Sequence, residues 1–127
     1  MNGTTAIRVL IVDDNSLVRQ TLTELLVNHS EIEVVGEAST GDEALSCVET
    51  LQPNIVVMDI CMPRMDGIAA TREINKRYPQ VKVIGLTEYA DGYHADALKK
   101  AGALAVYFKS RAAAELYRAI TMTARAE

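Results

Sequence analysis

The stretch Ile7-Arg8-Val9-Leu10-Ile11-Val12-Asp13-Asp14-Asn15 decides the fold class of this chain. Its first six residues are mostly aliphatic and β-branched, which favours a buried strand. The three polar residues at its end stop the strand. The apolar residues that follow recur at helical spacing: Val18, Leu22, Leu25 and Leu26. The stretch therefore predicts a strand followed directly by an amphipathic helix.

The same alternation continues along the rest of the chain. Apolar runs predict four further strands, at Ile32–Ala38, Ile55–Met58, Val81–Leu86 and Ala103–Phe108. Helical spacing predicts four further helices, at Gly41–Leu51, at Ile68–Arg77, around Asp96–Ala101 with Gly102 as its end, and at Ser110–Ala124. Ser110 is the expected N-cap of the last helix. Five strands that alternate with five helices imply an α/β protein with a parallel sheet covered by helices on both faces.

The predicted strands are continuous apolar runs, which is the pattern of strands buried on both faces. A doubly wound sheet of five strands commonly has the order 2-1-3-4-5, with a topological switch between strands 1 and 3. We adopt that order as a hypothesis. Since the chain has 127 residues, we expect residues 1–127 to form a single domain whose core lies within 7–124.

Composition excludes several classes of protein. Apolar residues make up 49% and charged residues 24%, as in soluble globular proteins, and the longest aliphatic runs are too short for a membrane span or an export signal. The two cysteines, Cys47 and Cys61, make no disulfide framework, so we expect a cytoplasmic protein. Because 17 acidic residues outnumber 13 basic ones, this chain is not expected to bind DNA by itself.

Polar residues follow four of the five predicted strands. Asp13 and Asp14 end strand 1, Asp59 ends strand 3, Thr87 ends strand 4 and Lys109 ends strand 5. In a doubly wound sheet the binding crevice lies at this edge, beside the topological switch. Three carboxylates gathered there would repel one another unless a cation lay between them. Because all these ligands are oxygens, Mg²⁺ fits better than zinc.

Each polar residue also has a structural interpretation. The Asp13-Asp14-Asn15 run is common in turns and helix caps, Thr87 is an ordinary strand residue, and Lys109 could simply extend to solvent. A buried carboxylate such as Asp59, at the end of an apolar strand, is harder to explain without a partner. Because all these residues lie at one edge of the predicted sheet, a functional site is favoured over separate structural roles.

These residues resemble the receiver (phospho-acceptor) domain of bacterial two-component response regulators. The resemblance depends on Val9–Asp14, on Asp59-Ile60-Cys61-Met62-Pro63-Arg64-Met65-Asp66-Gly67, on Thr87, and on Ala101-Gly102-Ala103 followed by Lys109. Two further stretches, 35–38 and 41–45, and the Ser after Lys109 are similar to the subgroup with a C-terminal helix-turn-helix output domain. The resemblance implies a flavodoxin-like fold.

The resemblance also implies roles for individual residues. Asp59 would be the nucleophile that accepts a phosphoryl group from a phosphohistidine on a partner kinase. Asp14 and Asp59 would bind Mg²⁺ directly with the backbone carbonyl of Cys61, and Asp13 would act mostly through water. Lys109 would help to neutralise the phosphoryl oxygens, and Thr87 would donate a hydrogen bond to one of them.

The implied partners are a sensor histidine kinase or phosphotransfer protein, with a homodimer as a further possibility. DNA would be reached only through an output domain, which we do not expect in this chain. The domain would be a phosphoryl acceptor that catalyses its own phosphorylation and dephosphorylation, rather than an enzyme acting on other substrates.

Three positions depart from the family pattern, one of them Ser110, where a Pro is frequent. Val106 stands three residues before Lys109, where an aromatic residue usually swings inward, and strand alternation directs Tyr107 to the opposite face. Glu88 stands after Thr87, where a small residue is usual, and could hinder access to Asp59. The departures at Glu88 and Val106 keep open a receiver-like interaction module that works without phosphorylation. A Mg²⁺-dependent aspartyl-phosphate phosphatase is the enzymatic alternative. Phosphatases of that kind resemble one another in having a second acid two residues after the nucleophile, and this chain has Cys61 at that position, which disfavours the alternative.

Overall fold

The computed structural model describes residues 6–60, 62, 66–88 and 92–126. The strands are β1 (Ile7–Val12), β2 (Ile32–Ala38), β3 (Ile55–Asp59), β4 (Lys82–Thr87) and β5 (Ala105–Phe108). The helices are α1 (Ser16–Val27), α2 (Gly41–Leu51), α3 (Gly67–Arg77), α4 (Tyr93–Ala101) and α5 (Ala112–Arg125). The predicted bounds differ from these by at most two residues, except that α4 begins at Tyr93, three residues before the predicted stretch Asp96–Ala101.

The five strands form one parallel sheet in the order β2-β1-β3-β4-β5, which confirms the predicted topology. Val12 of β1 pairs with Met58 of β3, and Asp59 of β3 pairs with Leu86 of β4. Because parallel strands point the same way, the carboxyl ends of all five strands meet at one edge of the sheet. That edge carries the polar residues that the sequence places after the strands.

Alternation along the central strands divides the core into two layers. Leu10, Val12, Val56 and Met58 face one cluster, which helices α2, α3 and α4 cover. Val9, Ile11, Ile55 and Val57 face the other cluster, which α1 and α5 cover. Helices therefore cover both faces of the sheet, as predicted. Within the described residues, no helix is both long and apolar enough to cross a membrane.

Burial on both faces holds for the central strands but not for the edge strands. Every residue of β3 is buried, whereas β2 and β5 contain half-buried and exposed positions. An edge strand has a neighbour on one side only, and the helices cover it less completely. The apolar run of an edge strand therefore overstates its burial.

Ser110 does not cap the last helix, so that prediction was wrong. The chain leaves β5 through a 3₁₀ turn, Lys109–Arg111, and α5 begins only at Ala112. The backbone N–H of Ala112 donates to the carbonyl of Lys109, and no side chain caps α5. The tight turn provides the backbone bond that a serine cap would otherwise have supplied.

Tyr117 links helix α5 to the loop before β2. Its hydroxyl donates a hydrogen bond to the Glu31 carboxylate, and its ring stacks on the His29 imidazole with centroids 3.8 Å apart. The hydrogen bond lowers the pKa of Glu31 and raises the pKa of Tyr117. The lowered pKa of Glu31 contributes stability above the ordinary glutamate pKa, and this contribution is lost as the pH falls through the folded-state pKa.

Replacing Tyr117 with Phe should raise the pKa of Glu31 toward its ordinary value, because the hydroxyl donor is lost. An NMR titration of the Glu31 carboxyl group measures this directly. The stability difference from wild type should also shrink as the pH falls from 7 to 3. The control is Tyr78→Phe, a tyrosine that packs on the other face of the sheet. An unchanged Glu31 pKa in Tyr117→Phe would contradict the link.

Candidate functional site

Two buried carboxylates lie side by side at the carboxyl edge of the sheet. Because Val12 pairs with Met58, the next residue after each of these, Asp13 and Asp59, reaches the edge at the same level. Asp13 is 0% exposed and Asp59 is 2% exposed, while Asp14 is exposed. One carboxylate oxygen from each of the three residues lies within 4.8 Å of the other two. The structure thus brings together the three acids that the sequence singles out.

Lys109 joins the two buried carboxylates. Its Nζ lies 2.8 Å from Asp13 Oδ2 and 3.0 Å from Asp59 Oδ1, and its side chain is 18% exposed. Burial by itself would lower the pKa of Lys109, but the hydrogen bonds to the two carboxylates outweigh burial and raise the pKa well above its ordinary value. Lys109 therefore stays charged in this site.

The two carboxylate oxygens of Asp13 have different contacts. Asp13 Oδ1 accepts a hydrogen bond from the Asn15 backbone N–H at 2.9 Å, while Asp13 Oδ2 faces Lys109. Asn15 in turn caps α1, since its Oδ1 accepts from the N–H groups of Leu17 and Val18. One oxygen of Asp13 fixes the loop and the other remains directed into the site.

The remaining residues that the sequence analysis singled out lie at or near the same end of the sheet, except Cys61, which lies outside the described residues. Thr87 is the last residue of β4 and is 1% exposed, one residue beyond Leu86, which pairs with Asp59. Val106 packs against the core layer of α2, α3 and α4, whereas Tyr107 packs against the layer of α1 and α5, as strand alternation predicts.

Glu88 reaches the site from the rim. Its side chain is 72% exposed, and Glu88 Oε1 lies 3.5 Å from Lys109 Nζ. The ammonium of Lys109 therefore has three carboxylate neighbours, two of them buried and one exposed.

Arg19 is a residue of this site that the sequence did not reveal. Its guanidinium donates to the backbone carbonyl of Asp13 at 2.7 Å and to Glu37 Oε1 at 2.9 Å. Arg19 thereby ties α1 and the end of β2 to the loop that carries Asp13. Sequence spacing offers no signal for this role, because the contact depends on how α1 lies across the sheet.

Gly67 is required by the close approach of α3 to the end of β3. A Cβ at this position would lie 1.9 Å from the carbonyl oxygen of Asp59 and 2.8 Å from Ile60 Cα. The N–H of Gly67 also donates to the carbonyl of Ile60 at 2.9 Å. Asp66 caps α3 by accepting a hydrogen bond from the N–H of Ala69 at 2.8 Å. The start of α3 thus supports the backbone of Asp59.

The fold and this acidic edge define a class of protein. The family model of the response regulator receiver domain matches residues 9–121. The chain belongs to this family, and it is a receiver domain of a two-component response regulator.

Similar proteins are response regulators as well. The chain is 37% identical over 121 residues to the response regulator protein VraR of Staphylococcus aureus, a match that covers 95% of this chain and 58% of VraR. The chain therefore spans less than two thirds of the length of that relative. Two solved structures superpose on the whole fold. One is a two-component response regulator of the LuxR family from Aurantimonas sp. SI85-9A1, with TM-score 0.89, 32% identity and coverage of 94% of this chain and 86% of that one. The other is the response regulator domain of Thermotoga maritima CheB, with TM-score 0.89, 27% identity and coverage of 96% and 98%.

Replacing Arg19 with Ala should lower the free energy of unfolding by about 1.5 kcal/mol, because two hydrogen bonds of a charged donor are lost. Urea unfolding measures the change. The matched control is Arg77→Ala, which breaks an exposed i,i+4 pair with Glu73 and should cost only about 0.3 kcal/mol. Equal losses in the two variants would show that Arg19 has no special role in holding the loop.

Replacing Gly67 with Ala should destabilise the protein by about 3 kcal/mol, because the new Cβ meets backbone atoms that cannot move independently of β3. The control is Gly36→Ala, whose Cβ would meet the flexible end of the Leu51 side chain at 2.7 Å. We expect that control to cost about 1 kcal/mol or less. Thermal or urea unfolding compares the two, and a Gly67→Ala protein as stable as wild type would contradict the close approach.

Proposed function

We propose that Asp59 accepts a phosphoryl group from a phosphohistidine on a sensor histidine kinase or phosphotransfer protein. The observation that carries the proposal is the pairing of Asp59 with Lys109, 3.0 Å apart, beside two further carboxylates. A buried carboxylate at the end of a central strand is held in one orientation and excluded from most solvent. An adjacent ammonium is positioned to neutralise charge on a phosphoryl oxygen.

The donor set supports a divalent cation at this edge. Asp13, Asp14 and Asp59 bring three negative charges, and Lys109 supplies one positive charge, so the cluster keeps an excess of two negative charges. Carboxylate oxygens are the ligands that Mg²⁺ prefers. We propose that Asp14 and Asp59 hold Mg²⁺ directly together with the carbonyl of Cys61, and that Asp13 acts mostly through water. When bound, Mg²⁺ supplies charge neutralisation for the phosphoryl oxygens.

The residues of the chain have distinct roles in this proposal. A carboxylate oxygen of Asp59 attacks phosphorus, and the bond from phosphorus to the donor nitrogen breaks as an acyl phosphate forms. Lys109 donates a hydrogen bond to a phosphoryl oxygen and stabilises the charge there. The hydroxyl of Thr87, at the end of the neighbouring strand, donates a hydrogen bond to another phosphoryl oxygen. Phosphoryl transfer needs mainly such alignment and neutralisation.

Phosphorylation then switches a signalling surface on α4, β5 and α5. The pull of the phosphoryl group on Thr87 would shift an existing equilibrium between two conformations of this surface. Val106 is too small to act as an aromatic switch, so the signal in this chain must pass through the Thr87 loop and backbone. This distinguishes it from family members with an aromatic residue at that position.

We further propose that the phosphorylated domain controls a DNA-binding output domain in the cytoplasm, with a homodimer as one form of the active state. Supporting this are the greater length of VraR and the similarity, at 27% identity and TM-score 0.87, to a DNA-binding response regulator of the LuxR family from Staphylococcus aureus. The acidic net charge of this chain is consistent with DNA contacts made elsewhere.

The alternative is an interaction module that works without phosphorylation. Glu88 and Val106 are the observations in its favour, because both depart from the pattern of phosphorylated receivers. The Asp59–Lys109 pair argues against it, since a module without phosphorylation has no need of a charged pair in which Asp59 is 2% exposed. A phosphatase acting on other molecules has no comparable support.

Incubation with phosphoramidate and Mg²⁺ should add one phosphoryl group to the wild-type chain, detected by intact mass. Asp59→Asn should form no adduct, because an amide is a poor nucleophile, and omission of Mg²⁺ should slow the reaction by at least tenfold. The matched control is Asp66→Asn, which removes a nearby carboxylate and keeps a good N-cap.

The proposal fails if the adduct persists in Asp59→Asn, or if it forms equally fast without metal. A wild-type chain that never becomes phosphorylated would favour the interaction module. Normal adduct formation in Asp66→Asn shows that the loss in Asp59→Asn is specific to the acceptor.

A further inference from the structure

Lys109 is shared among three carboxylates that differ in burial. An ammonium group has three N–H donors and no acceptor. The carboxylates of Asp13 and Asp59 are 1% and 2% exposed and lie within 3.0 Å of Lys109 Nζ, whereas Glu88 is 72% exposed and lies at 3.5 Å. Lys109 Nζ thus has three carboxylate neighbours within 3.5 Å before any phosphoryl group arrives. A phosphoryl oxygen that binds Lys109 must displace one of these neighbours.

Glu88 is the neighbour that can leave at the lowest cost. Its contact with Lys109 is the longest of the three, and its carboxylate can return to water. Both residues also line an open cavity of about 300 Å³, together with Thr87, Phe108 and Ser110. Movement of Glu88 therefore disturbs no packed side chain.

We propose that Glu88 competes with the phosphoryl group for Lys109 and thereby restricts which phosphoryl donors can react with Asp59. This inference rests on the proposed function. Glu88 Oε1 lies 3.5 Å from Lys109 Nζ in the unphosphorylated domain and places a negative charge at the rim, where an anionic donor approaches. A small free anion must displace Glu88 without help. A partner protein can offset the same cost with contacts to the rest of the domain.

Two small phosphoryl donors, phosphoramidate and acetyl phosphate, can test the role of Glu88, and each has a defined leaving group. With phosphoramidate, an oxygen of Asp59 attacks phosphorus, the P–N bond breaks, and ammonia leaves with the protons already on its nitrogen. With acetyl phosphate, the P–O bond breaks and acetate leaves. The two donors differ in charge at neutral pH, since acetyl phosphate is a dianion and phosphoramidate carries one net negative charge. Removal of a negative charge at the rim should therefore help acetyl phosphate more.

The experiment measures the rate of adduct formation by intact mass at saturating Mg²⁺. Replacing Glu88 with Gln should raise the rate about threefold with phosphoramidate and about sevenfold with acetyl phosphate, from Coulomb repulsion at a solvated separation of roughly 7 Å. Glu88→Asp keeps the charge but shortens the side chain by one methylene, so it should lose the contact with Lys109 and react faster than wild type. Glu33→Gln is the control, since it makes the same change of net charge on β2, at an exposed position remote from the carboxyl edge.

Each outcome decides between the possibilities. Faster reaction in both Glu88 variants with unchanged rates in Glu33→Gln supports competition for Lys109. A Glu88→Asp variant that reacts at the wild-type rate would show that Glu88 acts only through its charge at a distance, and this result would contradict the proposed competition for Lys109. An adduct that forms in wild type at the same rate as in Glu88→Gln overturns this inference and leaves the proposed function intact. If neither the wild-type protein nor Glu88→Gln ever forms an adduct, the proposed function fails together with this inference.

The contact can also be followed without any phosphoryl transfer. The NMR signal of the Lys109 ammonium group in the unphosphorylated protein should shift in both Glu88 variants, because Glu88→Gln removes the neighbouring negative charge and Glu88→Asp moves that charge away from Lys109. The same signal should stay in place in Glu33→Gln. A Lys109 signal that is identical in all four proteins would mean that Glu88 does not hold Lys109.

Discussion

The pairing register of β1 and β3 is the constraint on which the rest of this structure depends. Val12 lies opposite Met58, so Asp13 and Asp59 leave their strands at the same level. A slip of one residue would turn the apolar side chains of β1 toward the wrong core layers. The hydrophobic core therefore holds the register, and the register holds the two carboxylates together.

Two buried carboxylates are costly to keep, and Lys109, the first residue after β5, offsets part of that cost. Burial of like charges disfavours folding unless an opposite charge and hydrogen bonds compensate. The contacts of 2.8 and 3.0 Å to Lys109 supply part of that compensation. The remaining negative charge is what makes the edge suited to a cation and to phosphoryl chemistry. The repulsion between the carboxylates, which disfavours folding, and the affinity of this edge for a cation thus have the same electrostatic origin.

Most of the fold was predictable, because it depends on patterns that recur over many residues. Alternating apolar runs and helical spacing predicted every strand and helix, and the doubly wound rule predicted the strand order. Single-residue predictions were less secure. Ser110 has the chemistry of an N-cap, but the tight turn after β5 made that cap unnecessary. The edge strands β2 and β5 have apolar runs that the tertiary structure leaves partly uncovered.

The sequence by itself determined the α/β class and the set of polar residues at the strand ends, since both follow from local pattern and from the common direction of parallel strands. Only the tertiary structure decided which of those residues touch. Arg19 reaches the carbonyl of Asp13, and Glu88 reaches Lys109, because helix α1 and the loop after β4 lie where packing directs them. Such contacts depend on distances between elements far apart in sequence, and no local pattern encodes those distances.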